Sequence, residues 1–189
     1  EGLFDAIALH QLGFPETVAV LGSGLSEGQA LLLKKAGVLE VYLAFDADEA
    51  GQKATLQSLN LELAPRFLFY AVRLPAKDPG ELLLHPEGRA LFQKALEEAL
   101  PEVAFRFEEA SRGLDLSRPE HKRKGLEALT PRMLTPAPFD PVAERLKALV
   151  VERLGLSPKS LEDYLASLRT RGRPAPPPPP PPPPPRAQT

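Results

Sequence analysis

Over the first 85 residues, apolar runs of strand length alternate with stretches of helical spacing. Val18 to Leu21, Val41 to Phe45 and Phe67 to Leu74 are apolar runs beside turn or capping residues, and they predict three strands. Asp5 to Leu12, Glu27 to Ala36 behind a Ser26 N-cap, and Glu49 to Leu63 repeat their apolar residues with helical period. Strand, loop and helix in that recurring order predict an α/β fold in which a parallel sheet carries helices on its faces.

Beyond Pro86 the strand signal fades. Gly88 to Leu100, Pro119 to Leu129, Asp140 to Leu154 and Pro158 to Leu168 carry Leu, Ala, Val and Phe at helical spacing and predict an all-α subdomain. Ser117 and Ser157 are expected N-caps, and Gly155 an expected stop. The chain closes on ten consecutive prolines, Pro176 to Pro185, flanked by Arg171, Arg173 and Arg186. Such a run has no backbone donor, and as a polyproline II rod it would extend roughly 30 Å. The expected organisation is thus an α/β unit over 1–86, a helical subdomain over 87–170, and a disordered proline-rich tail or linker over 171–189.

Composition narrows the chemistry. The 189 residues contain 23 Lys plus Arg against 25 Asp plus Glu, a net charge of -2, so no global field draws in an anionic polymer. The basic run His121-Lys122-Arg123-Lys124 reads first as a solvated helix face and second as a phosphate contact. With no Cys and three scattered His, thiolate chemistry and a zinc ribbon are excluded, whereas oxygen-ligated hard metals stay open. No apolar run approaches a membrane span and no signal-peptide pattern opens the chain, so a cytoplasmic location is expected.

The acids stand out by position. In Tyr42-Leu43-Ala44-Phe45-Asp46-Ala47-Asp48 an apolar strand stops at an Asp-x-Asp pair just before a helix. This is the carboxyl edge where open α/β sheets place ligands, and two such side chains offer oxygen donors suited to Mg²⁺. Taken alone the pair is weak evidence, and helix capping by Asp48 with loop-amide binding by Asp46 is its first explanation. Further acids at Glu1 and Asp5, before one helix, and at Asp78 and Glu81, after the third strand, bring carboxylates to three strand ends or helix starts. A metal site that handles phosphate would require that pattern.

Glu1-Gly2-x-x-Asp5, Leu21-Gly22-Ser23-Gly24-Leu25-Ser26, Phe45-Asp46-x-Asp48-x-Ala50-Gly51 and Lys77-Asp78-Pro79 together resemble the Toprim domain of bacterial DnaG-type DNA primases, over about the first 85 residues. The Glu and the Asp-x-Asp pair are shared across the Toprim superfamily, and the Lys-Asp-Pro element narrows the resemblance to primase. The following helical segment resembles the helical subdomain of the same enzymes.

The resemblance implies RNA primer synthesis on single-stranded DNA from ribonucleotides, with Mg²⁺ or Mn²⁺ as cofactor. It implies Glu1, Asp46 and Asp48 as catalytic and metal-binding acids, with Glu1 the candidate general base. Asp78 becomes a further metal ligand, and Asp5 and Glu81 accessory acids. Gly80 stands where the family often has a second acid, with Glu81 one place later. A Toprim Glu ends its own strand, yet here it is residue 1. The expectation is therefore a fragment without its first strand or the upstream zinc-binding and template-gripping regions, and inactive as a primase by itself. A proline-rich linker would lead on to a region that binds the replicative helicase.

Other readings use some of the same residues. A Toprim nuclease would direct these acids at water. A topoisomerase needs a nucleophilic Tyr, which Tyr42, Tyr70 and Tyr164 do not resemble. A receiver-like domain would use Asp46 as phosphoacceptor with Lys77, and a non-catalytic replisome-binding module would rely on the helical part and the tail.

Overall fold

The computed structural model describes residues 1–134 and 140–171; the proline run Pro176 to Pro185, expected to be a disordered rod or linker, lies outside the described residues. Three strands and nine α-helices are present among them. Helix α1 (Leu3–Gln11) leads to α2 (Glu27–Lys35), strand β1 (Glu40–Leu43) and α3 (Glu49–Leu59). After a 3₁₀ turn at Ala64–Arg66 come β2 (Leu68–Ala71), α4 (Pro79–Leu84), α5 (Gly88–Glu97), β3 (Leu100–Pro101) and α6 (Glu102–Ser111). Helices α7 (Pro119–Met133), α8 (Pro141–Leu154) and α9 (Pro158–Arg171) complete the order.

Local chemistry sets the helix ends. Ser26 and Gln29 form a reciprocal capping box at α2, Asp48, Asp78 and Asp140 cap α3, α4 and α8, and Gly155 ends α8 in the left-handed conformation at φ 63°. Ser157 caps α9 by accepting from the Ser160 amide at 3.0 Å. Ser117 is not the cap of α7. Its hydroxyl and amide both turn back to Asp115, and Arg118 takes the cap position with Pro119 behind it. Two helices that the apolar pattern did not announce, α4 and α6, are short, and α6 interrupts its apolar residues with the buried charges Glu102 and Arg106.

Strands β1 and β2 pair in parallel with Val41 opposite Phe69 and Leu43 opposite Ala71. The third strand of the sheet is not Val18 to Leu21. It is Leu100–Pro101, lying antiparallel against Tyr70 and Ala71 in a region expected to be wholly helical. Thr17 to Leu21 has no strand partner among the described residues, Val18 and Leu21 are exposed, and Leu21 turns to a φ of 55°. An apolar run of strand type becomes a strand only when a neighbour satisfies its backbone. Here a groove of about 690 Å³ separates Thr17 to Val20 from the outer edge of β1.

One sheet face packs Leu43, Phe69 and Ala71 against Ala54 and Leu59 of α3 and Phe105 of α6. Beyond the strand ends, Val72 and Leu74 pack with Leu9, Leu82, Phe92 and Ala95 from α1, α4 and α5. Each fully buried Leu contributes about 1.5–3 kcal/mol relative to exposure. The sheet layer therefore runs past residue 86 through α5 and β3. Helix α6 belongs to two cores at once, because Phe105 points to the sheet while Phe107 joins Leu129, Leu146, Val150 and Leu165 among the later helices. No helix among the described residues is long and apolar enough to cross a membrane.

Candidate metal and nucleotide site

Asp46 ends the run that begins with β1, and the Ala47 amide donates to the Lys77 carbonyl at 3.2 Å. That bond ties the loop after β1 to the loop after β2, which brings Asp46 towards Asp78. Glu1 enters from the groove side, where its carbonyl accepts from the Leu21 amide at 3.1 Å. Asp46 lies in the field of Glu1, Asp5 and Asp78. Burial first, and then those three negative charges, push its carboxyl above the ordinary aspartate value, against a smaller opposing pull from the Glu1 ammonium. Its Oδ1 is buried and has no hydrogen-bond partner among the described residues. A buried acceptor left unpaired by the protein is costly, and a carboxylate oxygen so placed fits a hard cation.

The other acids are engaged locally, each through one oxygen. Asp48 is exposed and accepts from the Gly51 amide at 2.9 Å as the cap of α3. Asp78 accepts from the Glu81 amide at 3.0 Å as the cap of α4. Glu81 accepts from the Lys77 amide at 2.9 Å, closing the same turn. Asp5 accepts from the Gly2 amide at 2.8 Å and faces the Glu1 ammonium at 3.5 Å. Capping thus describes Asp48 and Asp78, and Asp46 differs from both by having nothing to cap. A carboxylate that caps through one oxygen retains acceptor capacity on the other. The structure gathers Glu1, Asp5 and Asp78 around Asp46 electrostatically, while Asp48 stands at the start of α3. Among the described residues no three His, Cys, Asp or Glu close to metal-holding distance.

A second cavity, of about 450 Å³, opens on the other side of Asp46, between the start of α3 and α6. Arg73, Gln52, Thr55, Glu109 and Arg112 line it. Arg73 pairs with Glu108, and Arg112 with Glu109 and Gln52. The sequence pattern did not single out these arginines, although Arg73, just past an apolar strand, carried a positional signal. The basic run resolves as structure: Lys122 donates to the Leu154 carbonyl at 2.7 Å and so closes α8, while Arg123 pairs with Glu127 at 2.8 Å on the surface.

A Toprim-like family model matches residues 1–83. The DNA primase of Deinococcus radiodurans is 36% identical over 168 residues, covering 88% of this chain and 29% of that protein. The DNA primase of Thermotoga maritima is 44% identical over 97 residues, covering 51% of this chain and 17% of the relative. A solved DNA primase domain from Pseudomonas aeruginosa superposes with a TM-score of 0.73 at 27% identity, covering 88% of this chain and 52% of that one. The DnaG primase catalytic domain bound to single-stranded DNA gives a TM-score of 0.68 at 26% identity, covering 85% and 51%. The chain therefore spans under a third of these curated relatives and about half of the solved chains. In sequence and in fold, it is a relative of the bacterial DnaG-type DNA primases and carries their Toprim-like region followed by helices.

Proposed function

We propose that this chain supplies the carboxylate half of a primase active site, which joins ribonucleotides into short RNA primers on single-stranded DNA. The observation that carries the reading is Asp46: an unpaired, partly buried carboxylate at the carboxyl end of a parallel strand, raised in pKa by burial and by the acids around it. Repulsion of that kind is relieved by a cation, and the acids that act on Asp46, namely Glu1, Asp5 and Asp78, offer carboxylate oxygens, the donor class of Mg²⁺ and Mn²⁺.

Asp46, Asp48 and Asp78 are the residues that would hold the ions, with Asp5 and Glu81 at their margin. When bound, divalent ions stabilise the attacking and leaving oxygens of nucleotidyl transfer. Glu1, whose charge acts on Asp46, would join these acids at the ions and would accept the proton of the primer 3′-hydroxyl. We place the catalytic acids in 1–86, with α5 and β3 completing their sheet layer, the helical subdomain in the rest of 87–170 and a linker in 171–189. Zinc and further template contacts belong to regions outside this sequence, and a helicase contact to a region beyond the proline run.

The test is primer synthesis on single-stranded DNA by a DnaG-type primase in which this chain replaces the corresponding segment. Asp46→Asn is expected to abolish synthesis while leaving single-stranded DNA binding in place. Full synthesis by that variant would overturn the reading.

A further inference from the structure

Helix α3 is held at several points along its length, among them the Arg112 bond to Gln52 in its first turn. Its first turn starts at Asp48 and presses Gly51 against the Asp46 backbone. Its middle meets the loop before α2, where the Gly24 backbone lies against the Ala54 carbonyl and the Leu25 amide donates to Ser58 Oγ at 2.9 Å. Its last turn ends on a buried guanidinium. Arg106, on α6 and 6% exposed, donates from Nη2 to the Leu59 carbonyl at 2.6 Å, from Nη1 to Asn60 Oδ1 at 3.0 Å and from Nε to Glu102 at 2.7 Å.

The Leu59 carbonyl is one of the orphan acceptors that every helix leaves at its carboxyl end, where a cation is favoured. Arg106 is in turn fixed from the helical side: Glu102 also accepts from Arg132 at 3.1 Å, and Arg132 pairs with Asp140, the cap of α8. A network so buried is costly unless every member is paired, and removal of one member leaves a buried charge exposed to that cost.

We infer that Arg106 is a positioning residue for Asp48, acting through α3 as a lever. The Gly24–Ala54 contact serves as fulcrum. Asp48 and Asn60 lie six residues to either side of Ala54, about 9 Å along the helix in each direction. Movement at the Arg106 end is therefore returned at the Asp48 end at similar size. The inference assigns to the later helices a part in the site that they never touch, and its metal arm rests on the proposal that Asp46 and Asp48 bind divalent ions.

Amide hydrogen exchange of the metal-free chain tests the lever without any metal. In Arg106→Met, and more mildly in Asn60→Ala, which changes only an exposed side chain, the Gly51 and Gln52 amides of the first turn should exchange several-fold faster than in the parent. Leu165→Ala, which destabilises the later helices elsewhere, corrects for global loosening and should leave those two amides unchanged relative to the rest of α3. Faster exchange confined to Leu59 and Asn60 would overturn the inference, because Arg106 would then be a local fastener.

Mn²⁺ titration supplies the second arm, with roughly five- to ten-fold weaker binding expected in Arg106→Met and partial recovery in Arg106→Lys. Unchanged Mn²⁺ affinity in Arg106→Met, with the parent binding normally, would also overturn it. If the parent binds no Mn²⁺, the metal reading falls and the lever is decided by amide exchange alone.

Discussion

A methyl group added at Gly51 would lie 2.0 Å from the backbone carbonyl oxygen of Asp46. The helix that begins at Asp48 can approach the strand-end loop this closely because residue 51 has no side chain. The same contact holds the two acids of the Asp-x-Asp pair in a fixed relation. Gly51→Ala must push the loop and helix apart and should destabilise the chain by about 1–3 kcal/mol. Urea unfolding of parent and variant measures this, and equal midpoints would show that the contact yields without cost.

Asp46 makes the metal-free fold weaker as pH rises. Its folded-state pKa lies above its unfolded value, so the folded chain keeps the proton longer. The destabilisation is absent well below the ordinary aspartate value of about 3.9. It enters as pH climbs from there through the raised folded value, and it is complete at neutral pH. Asp46→Asn should therefore melt higher than the parent near pH 7 without metal, with the gap closing as pH falls towards 4. A gap independent of pH would contradict the assignment.

Asp140 works in the opposite sense. Burial alone would raise its carboxyl, but hydrogen bonds from Arg132 and from the Ala143 and Val142 amides outweigh that and hold it below the ordinary value. Its contribution is present above the unfolded pKa and is lost as pH falls through the depressed folded value. Asp140→Ala removes a helix cap and leaves the nearly buried Arg132 with Glu102 as its remaining acidic partner, and should cost about 2–4 kcal/mol at neutral pH. Denaturant midpoints of parent and variant, compared at pH 7 and in acid below the depressed folded value, should differ more at the first than at the second.

Leu165 is fully buried among the later helices. Leu165→Ala should cost about 2–5 kcal/mol through lost burial and the cavity left behind. Divalent-ion affinity should stay unchanged while the variant remains folded, as calorimetric titration at a temperature below its melting point can check.

Much of the fold was legible because apolar periodicity and cap chemistry are local. Ser26, Asp140 and Gly155 mark their helix ends by residue type alone, and β1 and β2 are apolar runs of strand length. Val18 to Leu21 misled because a run with strand character needs a partner, and pairing is a property of the whole sheet. Leu100–Pro101 was invisible for the converse reason, being two residues whose extended form is imposed by the edge of β2. The acids were legible by position, yet the difference between Asp48, engaged as a cap, and Asp46, left unpaired, depends on three-dimensional placement. Arg106 was hidden because its three partners lie on two helices, Leu59 and Asn60 more than forty residues away in the chain.

Calorimetric or electron-spin titration of the whole chain with Mn²⁺ tests the central claim most directly. The account predicts saturable binding in the parent, competed by Mg²⁺ and lost in both Asp46→Asn and Asp48→Asn while each variant keeps its fold. Binding that persists undiminished in the Asp46→Asn chain would contradict it.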